Sequence, residues 1–60
     1  MHVEEIEAVY VLLNIIGGKN VFMAYKVAGE DFAIINLNDC TVEKIRKYMV
    51  CDNAIFFIIK

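Results

Sequence analysis

The chain has 60 residues, 60% of them hydrophobic, and eight acidic against six basic side chains give it a formal net charge of −2. A chain of this length forms one domain, residues 1–60, and buries only about 60% of the surface that its unfolded form exposes. The mild acidity excludes the strongly basic face of a general polyanion binder, and no apolar run approaches the roughly 20 residues of a membrane-spanning helix. Because the first residues are acidic where a signal peptide is basic, we expect a cytoplasmic protein.

The first segment, residues 3–16, has the apolar spacing of a helix. Glutamates in its first turns complement the positive end of the helix dipole, and Gly17 is a candidate left-handed cap. Residues 9–16 also have the composition of a strand, with residues 17–20 as a hairpin loop. The pattern favours the helix and keeps the strand as its alternative. The apolar positions are Val3, Ile6, Val9, Tyr10, Leu13 and Ile16.

The middle of the chain predicts a β-hairpin. Residues 21–28 form the first strand, residues 29–31 (Gly-Glu-Asp) have turn chemistry, and residues 32–37 return as the second strand. Their β-branched and aromatic side chains are typical of strands.

The last third predicts a helix over residues 42–50 and a strand over residues 54–59. Asn38, Asp39 and Thr41 are candidate N-caps for this helix. The strand, Ala-Ile-Phe-Phe-Ile-Ile, is apolar on both faces, so it requires cover on both sides and a central place in the sheet. The inner stripe predicted for the helix is Val42, Ile45, Tyr48 and Met49.

These elements predict a small two-layer α+β domain with the order α-β-β-α-β and a three-stranded sheet. The alternative is β-β-β-α-β, with one helix on a four-stranded sheet. In that alternative one sheet face is left bare, which increases the need for a partner.

The sequence contains few residues that are suited to catalysis or metal binding. It has no Ser, and its single His, His2, lies at the N-terminus, so a Ser-His-Asp site cannot form. Cys40 and Cys51 flank the second predicted helix, about 16 Å apart along its axis, too far for a disulfide. Neither has the Cys-x-x-Cys or Cys/His spacing of a zinc site. We therefore expect no catalytic site, no metal and no cofactor.

Two groups of residues are candidates for intermolecular contact. The first helix is apolar nearly all the way round, and we expect an oligomer interface there, with the lone amide of Asn14 setting the register or capping a strand edge. The second helix has a small basic patch that is a candidate for a protein partner or for phosphate. The interface residues are Tyr10, Leu13, Asn14 and Ile16, and the basic patch is Lys44, Arg46 and Lys47.

The apolar excess and the poor catalytic inventory together predict a non-enzymatic interaction protein. We expect a homodimer that binds another protein as a regulator or inhibitor by covering its surface. The many Ile, Asn and Lys residues beside a single Arg are typical of low-GC genomes, including those of phages and other viruses. The alternative is a small nucleic-acid-binding regulator that uses the basic face of the second helix.

Overall fold

The computed structural model describes residues 2–26 and 32–60. The order of elements is β-α-β-β-α-β, which consists of two split β-α-β units. No helix within the described residues is long and apolar enough to cross a membrane. The elements are β1 (Val3–Ile6), a 3₁₀ turn (Ala8–Tyr10), α1 (Val11–Ile16), β2 (Asn20–Lys26), β3 (Phe32–Asn36), a second 3₁₀ turn (Leu37–Asp39), α2 (Val42–Met49) and β4 (Ala54–Ile59).

The strands form one antiparallel sheet in the order β1-β4-β2-β3. The small α+β class is confirmed, and so is the central position of β4. The prediction of a three-stranded sheet is wrong, and the four strands of the alternative fit. That alternative expected one helix, whereas the chain forms two helices beside its four strands.

The N-terminal segment is divided between a strand and a helix. Residues 3–6 were expected to be helical but form β1, because β4 has a free edge opposite β2 and β1 supplies its hydrogen-bonding partner, with Ile6 opposite Phe56. Residues 8–16 are helical, so the strand alternative for residues 9–16 is wrong. The predicted left-handed cap is also displaced by one residue, since Gly17 has a φ of −73° and Gly18 has a φ of 82°.

The hairpin and the second helix are confirmed with small changes. β2 and β3 pair from Phe22 opposite Asn36 to Lys26 opposite Phe32, while residues 27–28 of the predicted first strand and the predicted turn at 29–31 lie outside the described residues. The Thr41 hydroxyl accepts a hydrogen bond from the Lys44 amide at 3.2 Å and caps α2. Val42 was assigned to the inner stripe, but it is 54% exposed because it lies in the first turn, before α2 reaches the core.

The hydrophobic core lies on one face of the sheet only. Alternate residues of β2 and β4 point to this face, and α1, α2 and the second 3₁₀ turn each contribute one buried side chain. A sheet with helices segregated to one face leaves its other face without a layer. The buried cluster is Val11, Val21, Met23, Leu37, Ile45, Phe56 and Ile58.

A matched pair of leucines tests this placement of the core. Leu37 is completely buried, whereas Leu13 is 66% exposed. We expect Leu37→Ala to lower the free energy of unfolding by about 3–5 kcal/mol, because it removes buried methyl groups and leaves a cavity. Leu13→Ala should change it by less than about 1 kcal/mol. Urea unfolding followed by circular dichroism measures both, and equal losses would contradict the placement.

Asn38 joins the second 3₁₀ turn to the start of β2. Its Oδ1 accepts a hydrogen bond from the Val21 amide at 2.7 Å, and its Nδ2 donates one to the Lys19 carbonyl at 2.9 Å. We expect Asn38→Ala to cost about 1–3 kcal/mol, because the part-buried Val21 amide loses its acceptor. Asn53→Ala is the control, since the structure gives the Asn53 side chain no hydrogen bond to other described residues. A similar change in urea midpoint for both variants would contradict this role of Asn38.

Candidate protein-interaction surfaces

The face of the sheet that points away from the core is covered by no described element. We call it the open face. Strand alternation places there the residues of β2 and β4 that lie between the buried ones, together with their cross-strand neighbours. Its apolar members are Val3, Phe22, Ala24, Phe32, Ile34, Ile55, Phe57 and Ile59.

The open face is strongly apolar, and half of its apolar members are exposed. Ile34 and Phe32 on β3 are 65% and 64% exposed, Val3 on β1 is 56% exposed, and Ile55 on the central strand is 50% exposed. Monomeric soluble proteins rarely expose a large contiguous apolar patch, so the open face is a candidate interaction site. Sequence reasoning required cover on both sides of β4, and within the described residues that cover exists on one side only.

Two aromatic rings form the centre of the open face. Phe22 on β2 and Phe57 on β4 are directly opposite each other, and their ring centroids lie 5.5 Å apart with an interplanar angle of 17°. The neighbouring cross-strand row consists of Ile55, Ala24 and Ile34, with the small Ala24 between two bulky side chains. The centre therefore combines an aromatic pair with a row whose small middle residue, Ala24, is only 8% exposed.

Polar residues border this apolar area. Glu5 on β1 is exposed at one side, and Lys26 at the end of β2 is exposed at the opposite corner. Asn20 and Asn36 occupy a third corner, beside Phe22 in the register. An apolar centre with a polar rim is the usual anatomy of a protein interface.

A second apolar surface follows the outer side of α1, on the helical side of the sheet. We call it the α1 ridge. It consists of Val9, Tyr10, Leu13 and Ile16, which are 67%, 51%, 66% and 82% exposed. Val11 from the same helix is fully buried, so α1 is apolar both toward the core and away from it.

Three of the four interface residues predicted from the sequence lie on this ridge, namely Tyr10, Leu13 and Ile16. The fourth, Asn14, is half-buried, and its Nδ2 donates a hydrogen bond to the Tyr10 carbonyl at 2.8 Å. Its side-chain amide thus binds its own helix, and the expectation that it caps a strand edge is wrong. Its role in setting the register against another copy stays a prediction.

The three predicted basic residues are all exposed, but α2 separates them. Ile45 points into the core, and at about 100° per residue Lys44 and Arg46 project from opposite flanks of the helix. Lys47 lies on the flank of Lys44, one turn further on. The structure therefore brings two cations together and places the third apart, which is a smaller patch than the sequence suggested.

The candidate chemical groups lie far apart. Cys40 is half-buried, Cys51 is exposed, and both are free thiols. His2 pairs through its backbone with Lys60, beyond the C-terminal end of β4, whereas Cys51 precedes the start of that strand. The imidazole and the Cys51 thiol are therefore separated by about 20 Å of strand and do not form a Cys-His pair. The described residues contain no cluster of three or more metal-ligating side chains.

One cavity opens at the end of the core between β2 and the C-terminus of α2. Its volume is about 410 Å³. It is lined by two tyrosines together with charged and amide residues, and the Cys51 thiol at its rim donates to the Lys47 carbonyl at 3.5 Å. The lining residues are Met23, Tyr25, Lys26, Tyr48, Cys51, Asp52 and Asn53.

Comparison with known proteins found no family model that matches this chain, and no similar curated protein or solved structure.

Proposed function

We propose that this chain is a non-enzymatic interaction protein that self-associates and regulates or inhibits a partner protein by covering part of its surface. The observation that carries the proposal is the presence of two separate exposed apolar surfaces, the open face and the α1 ridge, on opposite sides of one small domain. Two surfaces allow two different contacts at once. We assign self-association to the open face and partner binding to the α1 ridge.

The α1 ridge has the form of a helix that binds in a groove. Val9 and Leu13 are four residues apart, and Leu13 and Ile16 are three apart, so their side chains follow one line along the helix. Apolar anchors at this spacing insert into a hydrophobic groove of a partner protein. Ile16 is 82% exposed, so little of its side chain is used by the fold and nearly all of it is free for a partner.

The charge beside the ridge indicates the chemistry of the partner. Glu7 is exposed and directly precedes the 3₁₀ turn that begins the ridge. Opposite charges at the rim of an interface steer association and suppress wrong partners. We therefore propose a partner with an apolar groove that has a basic rim near the ridge's N-terminal end.

The geometry of α2 favours protein binding over the nucleic-acid alternative. Only Lys44 and Lys47 share a flank of this helix, and each phosphate contact requires its own cation. The apolar surfaces, in contrast, contain most of the exposed large hydrophobic side chains of the described residues.

A ridge variant tests partner binding. We expect the double variant Leu13→Glu, Ile16→Glu to lose a partner that the unchanged protein captures, because it places two carboxylates in an apolar groove. The captured protein is then purified, and its affinity is measured by calorimetry. Loss of two anchors should weaken binding at least about thirtyfold.

Val50→Glu is the matched control for this experiment. Val50 is 79% exposed but lies at the C-terminal end of α2, outside the ridge. Saturable binding of a purified partner that survives Val50→Glu and fails with the ridge variant supports the proposal. If every captured protein binds the ridge variant as tightly as the unchanged chain, the ridge does not bind a partner.

A further inference from the structure

We infer that the open face is covered by the open face of a second copy, with the two sheets packed face to face about a two-fold axis. This inference rests on the self-association in the proposed function and adds its surface, its symmetry and its residue pairs. An interface with a two-fold axis must be complementary to itself. The open face can therefore be tested for complementarity with its own rotated image.

The charged residues of the open face are complementary to those of its rotated copy. Glu5 and Phe22 lie in one cross-strand row, two strands apart, and Lys26 lies four residues further along β2. With about 4.8 Å between strands and about 3.3 Å per residue, Glu5 and Lys26 are about 16 Å apart on a flattened sheet. A two-fold axis midway between them, in the plane between the sheets, brings each Glu5 over the Lys26 of the other copy. One axis thus forms two ion pairs.

The same axis also pairs the apolar side chains without further adjustment. It places Phe57 over the partner's small Ala24, so that the ring packs against the flanking Ile34 and Ile55 side chains. It places Phe22 over the partner's Ile34. Each of these two phenylalanines therefore meets a small or an aliphatic side chain of the partner, as close packing between two sheets requires.

The axis itself passes through Ile55 and Asn36, so each of these residues meets its own copy. Two Ile55 side chains form an apolar contact at the centre, and two Asn36 amides can donate to and accept from each other at the edge. Among the described strand residues of the open face, the two charged side chains, Glu5 and Lys26, face each other across this axis and not an apolar side chain. The strands of the two sheets cross at about 70°, which is close to the orthogonal class of sheet packing.

The size of the open face sets the strength of the contact. Four strands give a face about 19 Å wide and about 20 Å long. Two such faces bury on the order of 1,000 Å² in total, at the lower end of specific interfaces. We therefore expect a reversible dimer whose population rises with concentration over the micromolar range.

The first test changes the centre of the face. Ile55→Glu brings two carboxylates together on the axis and should raise the dimer dissociation constant at least a hundredfold. Ile16→Glu makes the same change on the more exposed α1 ridge and should leave the dimer intact. Light scattering on a sizing column, with a reductant to prevent Cys51 disulfides, measures both variants, and circular dichroism shows whether each is folded.

The second test exchanges the charges and does not depend on the stability of Ile55→Glu. Glu5→Lys alone and Lys26→Glu alone each create two like-charge contacts and should weaken their own dimers about tenfold. An equimolar mixture of the two variants restores both ion pairs, so heterodimers should form in preference to either homodimer. Native mass spectrometry counts the three species.

The outcomes separate this inference from the proposed function. A concentration-dependent dimer that Ile55→Glu abolishes, together with preferred heterodimers in the mixture, supports the inference. A dimer that Ile16→Glu abolishes and Ile55→Glu leaves intact overturns it, although the self-association in the proposed function stands. A monomer at every concentration overturns both the inference and the self-association, while partner binding by the α1 ridge is still tested by its own variants.

Discussion

The structure depends on one strand that is apolar on both faces and on one helical layer to cover it. β4 lies between β1 and β2, and its residues Phe56 and Ile58 are buried in the core. The alternate residues of the strand, Ile55, Phe57 and Ile59, point the other way, and Ile55 is half exposed. Apolar burial drives folding in proportion to area, so the uncovered half of β4 is surface whose burial still favours association. The helical layer of the same chain covers one side of β4. In our account, a second copy covers the other side.

The same division between two sides is seen in α1. Val11 is buried in the core, whereas Leu13 and Ile16 extend the apolar surface outward. A helix that is apolar all round requires contacts on more than one side, and the sheet supplies only one of them. The two uncovered surfaces lie on opposite sides of the domain, so a dimer through the open face leaves both α1 ridges accessible. In our proposal such a dimer binds two partner chains at once, which increases avidity.

Local patterns in the sequence were sufficient for the hairpin, the capped α2 and the central place of β4. The sequence could not show that residues 3–6 form a strand, because Val3 and Ile6 fit a helical stripe as well as a pleated one. Only the pairing of Ile6 with Phe56 decides between the two. Leu13 and Ile16 were recognised as interface candidates since their helix had more apolar surface than one side could bury. The open face was foreseen only in the four-stranded alternative, because its members come from four strands and adjoin only in the assembled sheet.

The central claim, that two open faces cover each other, is tested most directly by isotope-filtered NOE spectroscopy on a dimer of one labelled and one unlabelled copy. We predict intermolecular contacts from the methyl groups of Ile55 and Ile34 in one copy to the sheet of the other copy, including its Phe22 and Phe57 rings. The methyl groups of Leu13 and Ile16 should show none. Intermolecular contacts confined to Leu13 and Ile16, or confined to the outer edges of β1 and β3, would contradict the account.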